Sequence, residues 1–266
     1  CRQATKGMDW VFNLAANMGG IGYIQDHKAE IIRDNTRISI HMLEAAREAQ
    51  VQKFFFPSSA CIYPASRQDS PDQDSLKEND AYPAEPEDGY GWEKLYTERL
   101  CRHYYEDFGM QTYVARFHNI YGPLGAYEGG REKSPAAICR KVATALDGEA
   151  IEVWGDGKQT RSYCFVDDCV EGIYRLVLSD HHEPINIGSD ELVTIDELIT
   201  TVAQVAGKKI AKRYDLSKPQ GVRGRNSDNT TIKKVLQWAP SITLKEGMRK
   251  TYEWIAKEIK ASAKQK

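Results

Sequence analysis

Short apolar runs alternate with longer segments whose apolar residues recur at helical spacing. Residues 10–16 (WVFNLAA) predict a buried strand, and a helix with an apolar stripe follows, ending near Ala49. Strands are also predicted at 53–56 and 112–117, separated by a helix from Tyr90 to Phe108 that Gly109 ends as a C-cap. Strands that alternate with helices indicate an α/β fold with a parallel sheet and crossover helices.

The pattern changes after about residue 125. A helix is predicted at 134–146, short strands at 151–154 and 185–188, and capping boxes open helices at Thr194 and Thr243. We expect residues 1–125 to be the remainder of a Rossmann-like, doubly wound nucleotide-binding domain. Residues 126–266 are then mainly a smaller α/β substrate-binding cap, with segments around 155–190 returning to the first domain.

Composition narrows the function classes. The chain is 41% hydrophobic and 28% charged, with a formal net charge of −2, so neither a nucleic-acid surface nor a basic membrane-binding face is indicated. Its six cysteines form no Cys-x-x-Cys pair, which favours reduced thiols in a cytoplasmic protein. The six histidines form no metal-ligand pair, and we expect no metal site.

Tyr90 and Lys94 lie one helical turn apart and are therefore predicted to point the same way. A phenol with a pKa near ~10 is a poor base at neutral pH. A neighbouring ammonium favours the phenolate and is expected to lower that pKa, so that the phenol can take a proton from an alcohol. The residues at 58–61 (SSAC) end the preceding strand and are expected to bring a hydroxyl or thiol to the same place.

These motifs together resemble the extended short-chain dehydrogenase/reductase family, in its nucleotide-sugar epimerase and dehydratase branch. Within that branch the chain is similar to the GDP-mannose 3,5-epimerase family over nearly its whole length. The motifs that carry this resemblance are AANMGG at 15–20, SACIYP at 59–64, GGREK at 129–133, WGDGKQTR at 154–161 and GVRGRNSD at 221–228.

The resemblance implies NAD as cofactor and GDP-mannose or related GDP-hexoses as substrate. The sugar would be oxidised at C4, epimerised at C3 and C5, and reduced again to GDP-L-galactose or GDP-L-gulose, in sugar-nucleotide supply for ascorbate and cell walls. Tyr90 would be the C4 base, Lys94 its electrostatic support and a ribose contact, and Ser59 a hydrogen-bond partner of the reacting hydroxyl. Cys61 and Lys133 would exchange protons at C3 and C5.

The same resemblance implies the remaining substrate contacts and a homodimer. Arg161 and Arg225 suit a diphosphate because guanidinium groups bind phosphate oxygens at two points, and Arg223 could replace one of them. The other implied substrate contacts are Gly19, Ala60, Asn119, Glu132, Ser134, Lys141, Gln159 and Thr160. The two long helices of the first domain are candidates for the dimer interface.

One feature departs from the family. The glycine-rich turn that receives the NAD pyrophosphate is expected after the first strand. The glycines at 19–22 (GGIG) have the wrong spacing and align with a substrate loop instead. We therefore expect the sequence to begin after the first strands of the fold and to bind NAD weakly. Two alternatives remain open: another NAD-dependent sugar-nucleotide epimerase or dehydratase, and an inactive fragment that only binds GDP-sugar.

Overall fold

A computed structural model describes residues 1–263, so the last three positions of the predicted 126–266 domain lie outside it. The helices, in chain order, are α1 (Arg2–Thr5), α2 (Ile21–Asp26), α3 (Lys28–Glu48), α4 (Asp88–Phe108), α5 (Ser134–Thr144), α6 (Val166–Leu178), α7 (Ile195–Ala206), α8 (Thr230–Leu236) and α9 (Leu244–Ala263). The strands are β1 (Trp10–Phe12), β2 (Lys53–Ser59), β3 (Gln111–Phe117), β4 (Ile120–Tyr121), β5 (Ala150–Trp154), β6 (Thr160–Ser162), β7 (Cys164–Phe165), β8 (Ile185–Ile187), β9 (Leu192–Thr194), β10 (Ala211–Asp215) and β11 (Gly224–Arg225).

The main sheet is parallel, with strand order β1–β2–β3–β8, which confirms the predicted α/β fold. Phe54, Phe55 and Phe56 on β2 are almost fully buried, as expected for a strand covered on both faces. The helices α3 and α4 pack on one face of this sheet, and α6 and α8 cover the other side near β3 and β8.

A second apolar core lies in the later part of the chain, where α5, α7 and α9 pack around β5. Three further small sheets pair β10 with β5, β6 with both β11 and β9, and β4 with β7. Among residues 1–263, no helix combines the length and apolar character that crossing a membrane requires.

Two differences from the sequence predictions lie next to the site. β1 ends at Phe12, because the Leu14 N–H turns back to the Phe12 carbonyl and the chain leaves the sheet. The short helix α2 begins inside the predicted glycine turn and was not foreseen. Gly109 does end α4 in the left-handed region (φ 68°), and Thr194 forms the predicted capping box with Glu197.

Candidate functional site

The site forms where β2 ends and α4 begins, at the carboxyl edge of the main sheet. Ser59 ends β2 and its Oγ accepts a hydrogen bond from the Cys61 N–H at 3.2 Å, which starts a tight turn over Ala60–Ile62. The Cys61 carbonyl then accepts the Glu87 N–H at 3.0 Å. At Gly91 a Cβ would lie 2.3 Å from the Cys61 carbonyl oxygen. A glycine therefore lets α4 approach the turn closely and brings Tyr90 beside Ser59 and Cys61.

Tyr90 and Lys94 are both buried on α4, with exposed fractions of 7% and 3%. Lys94 Nζ lies 5.5 Å from the centroid of the Tyr90 ring and 4.7 Å from that of Phe56. Its nearest carboxylate oxygen, Glu93 Oε1, is 3.6 Å away, which is longer than a hydrogen bond. Lys94 Nζ thus lies beside the Tyr90 ring, and the predicted pairing of phenol and ammonium is present.

The predicted lowering of the Tyr90 pKa is wrong. Burial raises the pKa of this phenol, the charges of Cys61 and Glu93 raise it further, and the hydrogen bond with Ser59 opposes them. Burial also lowers the pKa of Lys94, although Glu93 partly restores it. Removal of the phenol from water is the largest cause of the raised pKa of Tyr90.

Glu93 is a buried carboxylate that the sequence analysis missed. Its Oε1 accepts a hydrogen bond from Asn35 Nδ2 at 3.0 Å, and its Oε2 has no partner among residues 1–263. Burial raises the pKa of Glu93, whereas Lys94 and Asn35 lower it. Asn35 also binds both the N–H and the carbonyl of Asn17, so this carboxylate is tied to the segment that follows β1.

Cys61 lies in a cationic part of the site. The Arg225 guanidinium donates from Nη1 to Cys61 Sγ at 3.5 Å. Burial raises the pKa of the thiol, but the Arg225 charge, the hydrogen bonds from Ser59 and Arg225, and the Lys133 charge together bring it below its usual value. A lowered pKa of the Cys61 thiol suits the proton exchange that the family resemblance implies for this residue. The other cysteines of α4, α5, β7 and α6 are buried, and burial raises their pKa values.

Lys133 reaches the site from the loop before α5. Gly129 and Gly130 are in the left-handed region, and the Gly130 N–H binds Glu132 Oε2 at 2.7 Å. The Gly20 N–H binds the Arg131 carbonyl at 3.1 Å, and a Cβ at Gly20 would lie 2.5 Å from the Glu132 carbonyl oxygen. The glycines before α2 therefore hold the Lys133 loop in place. Desolvation lowers the pKa of Lys133, and the Cys61 charge opposes this change.

Among the predicted phosphate contacts, Arg161 and Arg225 face the site, whereas Arg223 is paired elsewhere. Arg223 forms a salt bridge with Asp156 at 3.1 Å. Arg161 has two backbone carbonyls as partners, burial lowers its pKa, and the charge of Cys61 raises it. Arg225 donates hydrogen bonds to Gln68, Glu87 and Cys61.

The remaining predicted substrate residues lie mostly on the cap side of the site. Their contacts are Ser134 Oγ to Tyr163 OH, Asn119 Nδ2 to the Ser162 carbonyl, Lys141 Nζ to the Glu152 carbonyl, Gln159 Nε2 to the Trp154 carbonyl, and Thr160 Oγ1 to the Pro71 carbonyl. Gln159 Oε1 is buried and has no partner among residues 1–263. Gly19 and Ala60 are buried, and Glu132 pairs with Arg140. The contribution of these residues to substrate binding stays a prediction.

The residues present fit the nicotinamide-ribose end of NAD. Tyr90 and Lys94 lie at the carboxyl edge of a parallel sheet, where dinucleotides bind in this fold class. Gly20 packs on the Lys133 loop and is therefore not part of a pyrophosphate cradle.

Comparison with known proteins agrees with this geometry. Residues 1–188 match the model of the NAD dependent epimerase/dehydratase family. The chain is 54% identical, over 97% of its length, to GDP-mannose 3,5-epimerase from Arabidopsis thaliana and covers 68% of that protein. It is 32% identical to a dTDP-4-dehydro-6-deoxy-D-allose reductase from Streptomyces bikiniensis, with 93% and 74% of the two chains covered.

Two solved structures share the fold. UDP-glucose 4-epimerase from Thermotoga maritima superposes with a TM-score of 0.84 at 26% identity, covering 94% of this chain and 78% of the other. UDP-glucuronic acid 4-epimerase from Bacillus cereus, in complex with UDP-glucuronic acid and NAD, gives 0.81 at 25% identity, with 97% and 78% covered.

Proposed function

Because the chain belongs to the NAD dependent epimerase/dehydratase family, we propose that it epimerises GDP-mannose at C3 and C5, giving GDP-L-galactose and GDP-L-gulose. The observation that carries this proposal is the acidic thiol of Cys61 near Lys133, beside the Tyr90 and Lys94 pair. A 4-epimerase needs the Tyr90 and Lys94 pair alone. The 54% identity to the Arabidopsis GDP-mannose 3,5-epimerase supports the same conclusion.

Tyr90 and Lys94 are assigned to proton transfer at the C4 oxygen. When bound, NAD supplies the hydride acceptor and donor at C4. The raised pKa of Tyr90 keeps the phenol protonated for the return step, in which it supplies the proton to the C4 oxygen as the ketone is reduced. For the forward step the Lys94 ammonium stabilises the phenol oxygen as negative charge moves toward it, and Ser59 holds the reacting hydroxyl.

Cys61 and Lys133 are assigned to proton exchange at C3 and C5. A ketone at C4 acidifies both neighbouring C–H bonds. A thiolate on one side of the ring takes the proton, an ammonium on the other side gives one, and the ring carbon changes configuration. The pKa values of both groups are lowered, which brings each closer to the range in which a group can both take and give a proton.

A deuterium experiment tests the two halves of this scheme separately. GDP-mannose with added NAD in deuterated water should gain deuterium at C3 and C5, and a 4-keto GDP-hexose should do so without NAD. Cys61→Ser and Lys133→Met should each lower exchange by about 10²–10⁴-fold, the usual contribution of a general acid or base. The matched controls Cys1→Ser and Lys245→Met alter exposed residues and should leave exchange unchanged. Absence of exchange into the 4-keto sugar would overturn the proposal.

We extend the proposal to the biological setting: a cytoplasmic homodimer that supplies sugar nucleotides for ascorbate and cell-wall polymers. The helices α3 and α4 pack side by side, and Ile32, Trp92 and Tyr96 on them are exposed. Such a surface supports a helical interface between two copies. Sedimentation velocity should give twice the monomer mass, with Trp92→Glu shifting it to the monomer. A wild-type monomer at high concentration would contradict the homodimer.

A further inference from the structure

Arg225 is held by three directed contacts at the end of β11. Its Nε donates to Gln68 Oε1 at 2.6 Å, its Nη2 donates to Glu87, and its Nη1 donates to Cys61 Sγ at 3.5 Å. The side chain is 7% exposed, and Gln68 is fully buried. Two of the three nitrogens are therefore fixed by protein groups, and the third is aimed at the thiol.

The backbone around Arg225 is built to hold this position. The N–H groups of Arg223 and Gly224 both donate to the Gln68 carbonyl, at 2.8 and 3.2 Å. A Cβ at Gly224 would lie 2.1 Å from the Ser70 carbonyl oxygen, so only glycine permits this approach of β11 to the loop that follows the Cys61 turn. The guanidinium is thus placed by tight docking between segments that are more than 150 residues apart.

We propose that Arg225 is a positioning residue that favours the thiolate form of Cys61, so that the sulfur can take a proton from the sugar, an inference that rests on the proposed function of the site. A guanidinium donor at the sulfur favours the anion over the neutral thiol. The Glu87 carboxylate fixes the plane of the guanidinium so that one N–H faces the sulfur. This role differs from the diphosphate contact predicted from the sequence, which would use the remaining N–H groups.

Other charged groups near Cys61 do not replace Arg225. Tyr90 and Lys94 face Cys61 from α4, Lys133 from the loop before α5, and Arg161 from β6, whereas Glu87, just before α4, is paired with Arg225. Lys133 is assigned to give and take a proton, so its charge changes during the reaction. Arg161 makes no contact with the sulfur within hydrogen-bond distance among the described residues. Arginine stays protonated at any working pH, and it alone in this group touches the sulfur.

The test measures thiol chemistry in the absence of substrate and NAD. The rate of iodoacetamide alkylation at Cys61 is followed against pH by peptide mass spectrometry in a Cys1→Ser background, which removes the exposed competing thiol. Arg225→Met should move the midpoint of the curve of alkylation rate against pH to higher pH by about a unit or more, and slow alkylation at pH 7 about tenfold for each unit of that change. Arg225→Lys should give a smaller shift, because the charge stays and the fixed plane is lost. Arg213→Met, on exposed β10, should leave the midpoint unchanged.

The outcomes separate this inference from the proposed function. Unchanged midpoints in both Arg225 variants, with wild-type circular dichroism, overturn the inference. If Arg225→Met does not fold, Arg225→Lys decides alone. Failure of the proposed function would show differently: the wild-type chain would exchange no deuterium into a 4-keto GDP-hexose, whatever the alkylation profile.

Discussion

Gly91→Ala should damage catalysis far more than it damages the fold. The new Cβ would stand 2.3 Å from the Cys61 carbonyl oxygen and 2.9 Å from Pro86 Cβ, against ordinary contacts of 3.4–4 Å. The oxygen belongs to backbone and cannot rotate away. The helix α4 and the Cys61 turn must therefore separate by about 1 Å, which strains the hydrogen bond from the Glu87 N–H to the same oxygen.

Two opposite effects set the stability change for Gly91→Ala. Alanine is favoured over glycine in a helix interior by about 1 kcal/mol, whereas overpacking costs about 1–3 kcal/mol. The free energy of unfolding should therefore fall by about 2 kcal/mol or less. The 1 Å separation acts on the position of Tyr90 relative to Cys61, and displacement of that size costs about 10²-fold in rate.

The assay compares urea denaturation with deuterium exchange at C3 and C5 of GDP-mannose. Gly89→Ala is the matched control, because it lies on the same helix and its nearest contacts are 3.2 and 3.3 Å. We expect Gly91→Ala to lose about a hundredfold in exchange and Gly89→Ala to lose only a few-fold. Exchange within threefold of wild type in Gly91→Ala would refute the reasoning that glycine sets the spacing of Tyr90 and Cys61.

Three further predictions concern buried charges. Glu93 raises the pKa of Lys94 and so offsets part of the lowering by burial. Glu93→Gln removes this charge, so the pKa of Lys94 falls further and the basic limb of the pH–rate profile should move to lower pH. Glu98→Ala leaves the buried Arg116 guanidinium without its carboxylate, and urea denaturation should show a loss of about 3–5 kcal/mol. Burial lowers the pKa of His118 to about 4 from an ordinary 6.5, so as pH falls the imidazole takes up a proton in the unfolded chain before it does so in the folded one. The free energy of unfolding should therefore fall between pH 6.5 and 4, by on the order of 3 kcal/mol.

Each of these predictions has its own control. Glu106→Gln removes an exposed carboxylate from the same helix and should not move the basic limb as Glu93→Gln does; an equal shift would contradict the assigned role. Glu106→Ala breaks an exposed pair and should cost under about 1 kcal/mol in the same denaturation assay. His118→Asn should flatten the pH dependence of unfolding, and an unchanged slope between pH 6.5 and 4 would point to another group.

The sequence was sufficient for the parts of the site that depend on local spacing. Tyr90 and Lys94 fall on one helical face because the repeat of an α-helix places them there, and the glycine after Phe108 marks where that helix ends. The parallel sheet followed from the alternation of strands and helices. A proton-exchange role for Cys61 was implied by the family resemblance and stays a prediction, and the lowered pKa of its thiol suits that role.

Long-range features could not be predicted in this way. Nothing in the spacing of residues shows that Arg225 meets Cys61, since 164 positions separate them. The sign of the Tyr90 pKa change depends on burial, which is a property of the folded chain. The burial of the Glu93 carboxylate is likewise a property of the folded chain, and the helical pattern does not show it. The sequence pattern also overextended β1, because the turn after Phe12 is made by backbone hydrogen bonds.

The docking of β11 on the loop at 68–71 has a consequence for the chain before it is fully folded. Cys61 and its turn belong to an early segment, but the guanidinium that changes the thiol arrives with residues near the end of the cap. During synthesis, before those residues are in place, Cys61 is an ordinary cysteine with an ordinary reactivity. Electrophiles and oxidants would therefore react with an activated thiol only in the fully folded protein. The rate at which Cys61 reacts thus reports directly whether β11 has docked on the loop at 68–71.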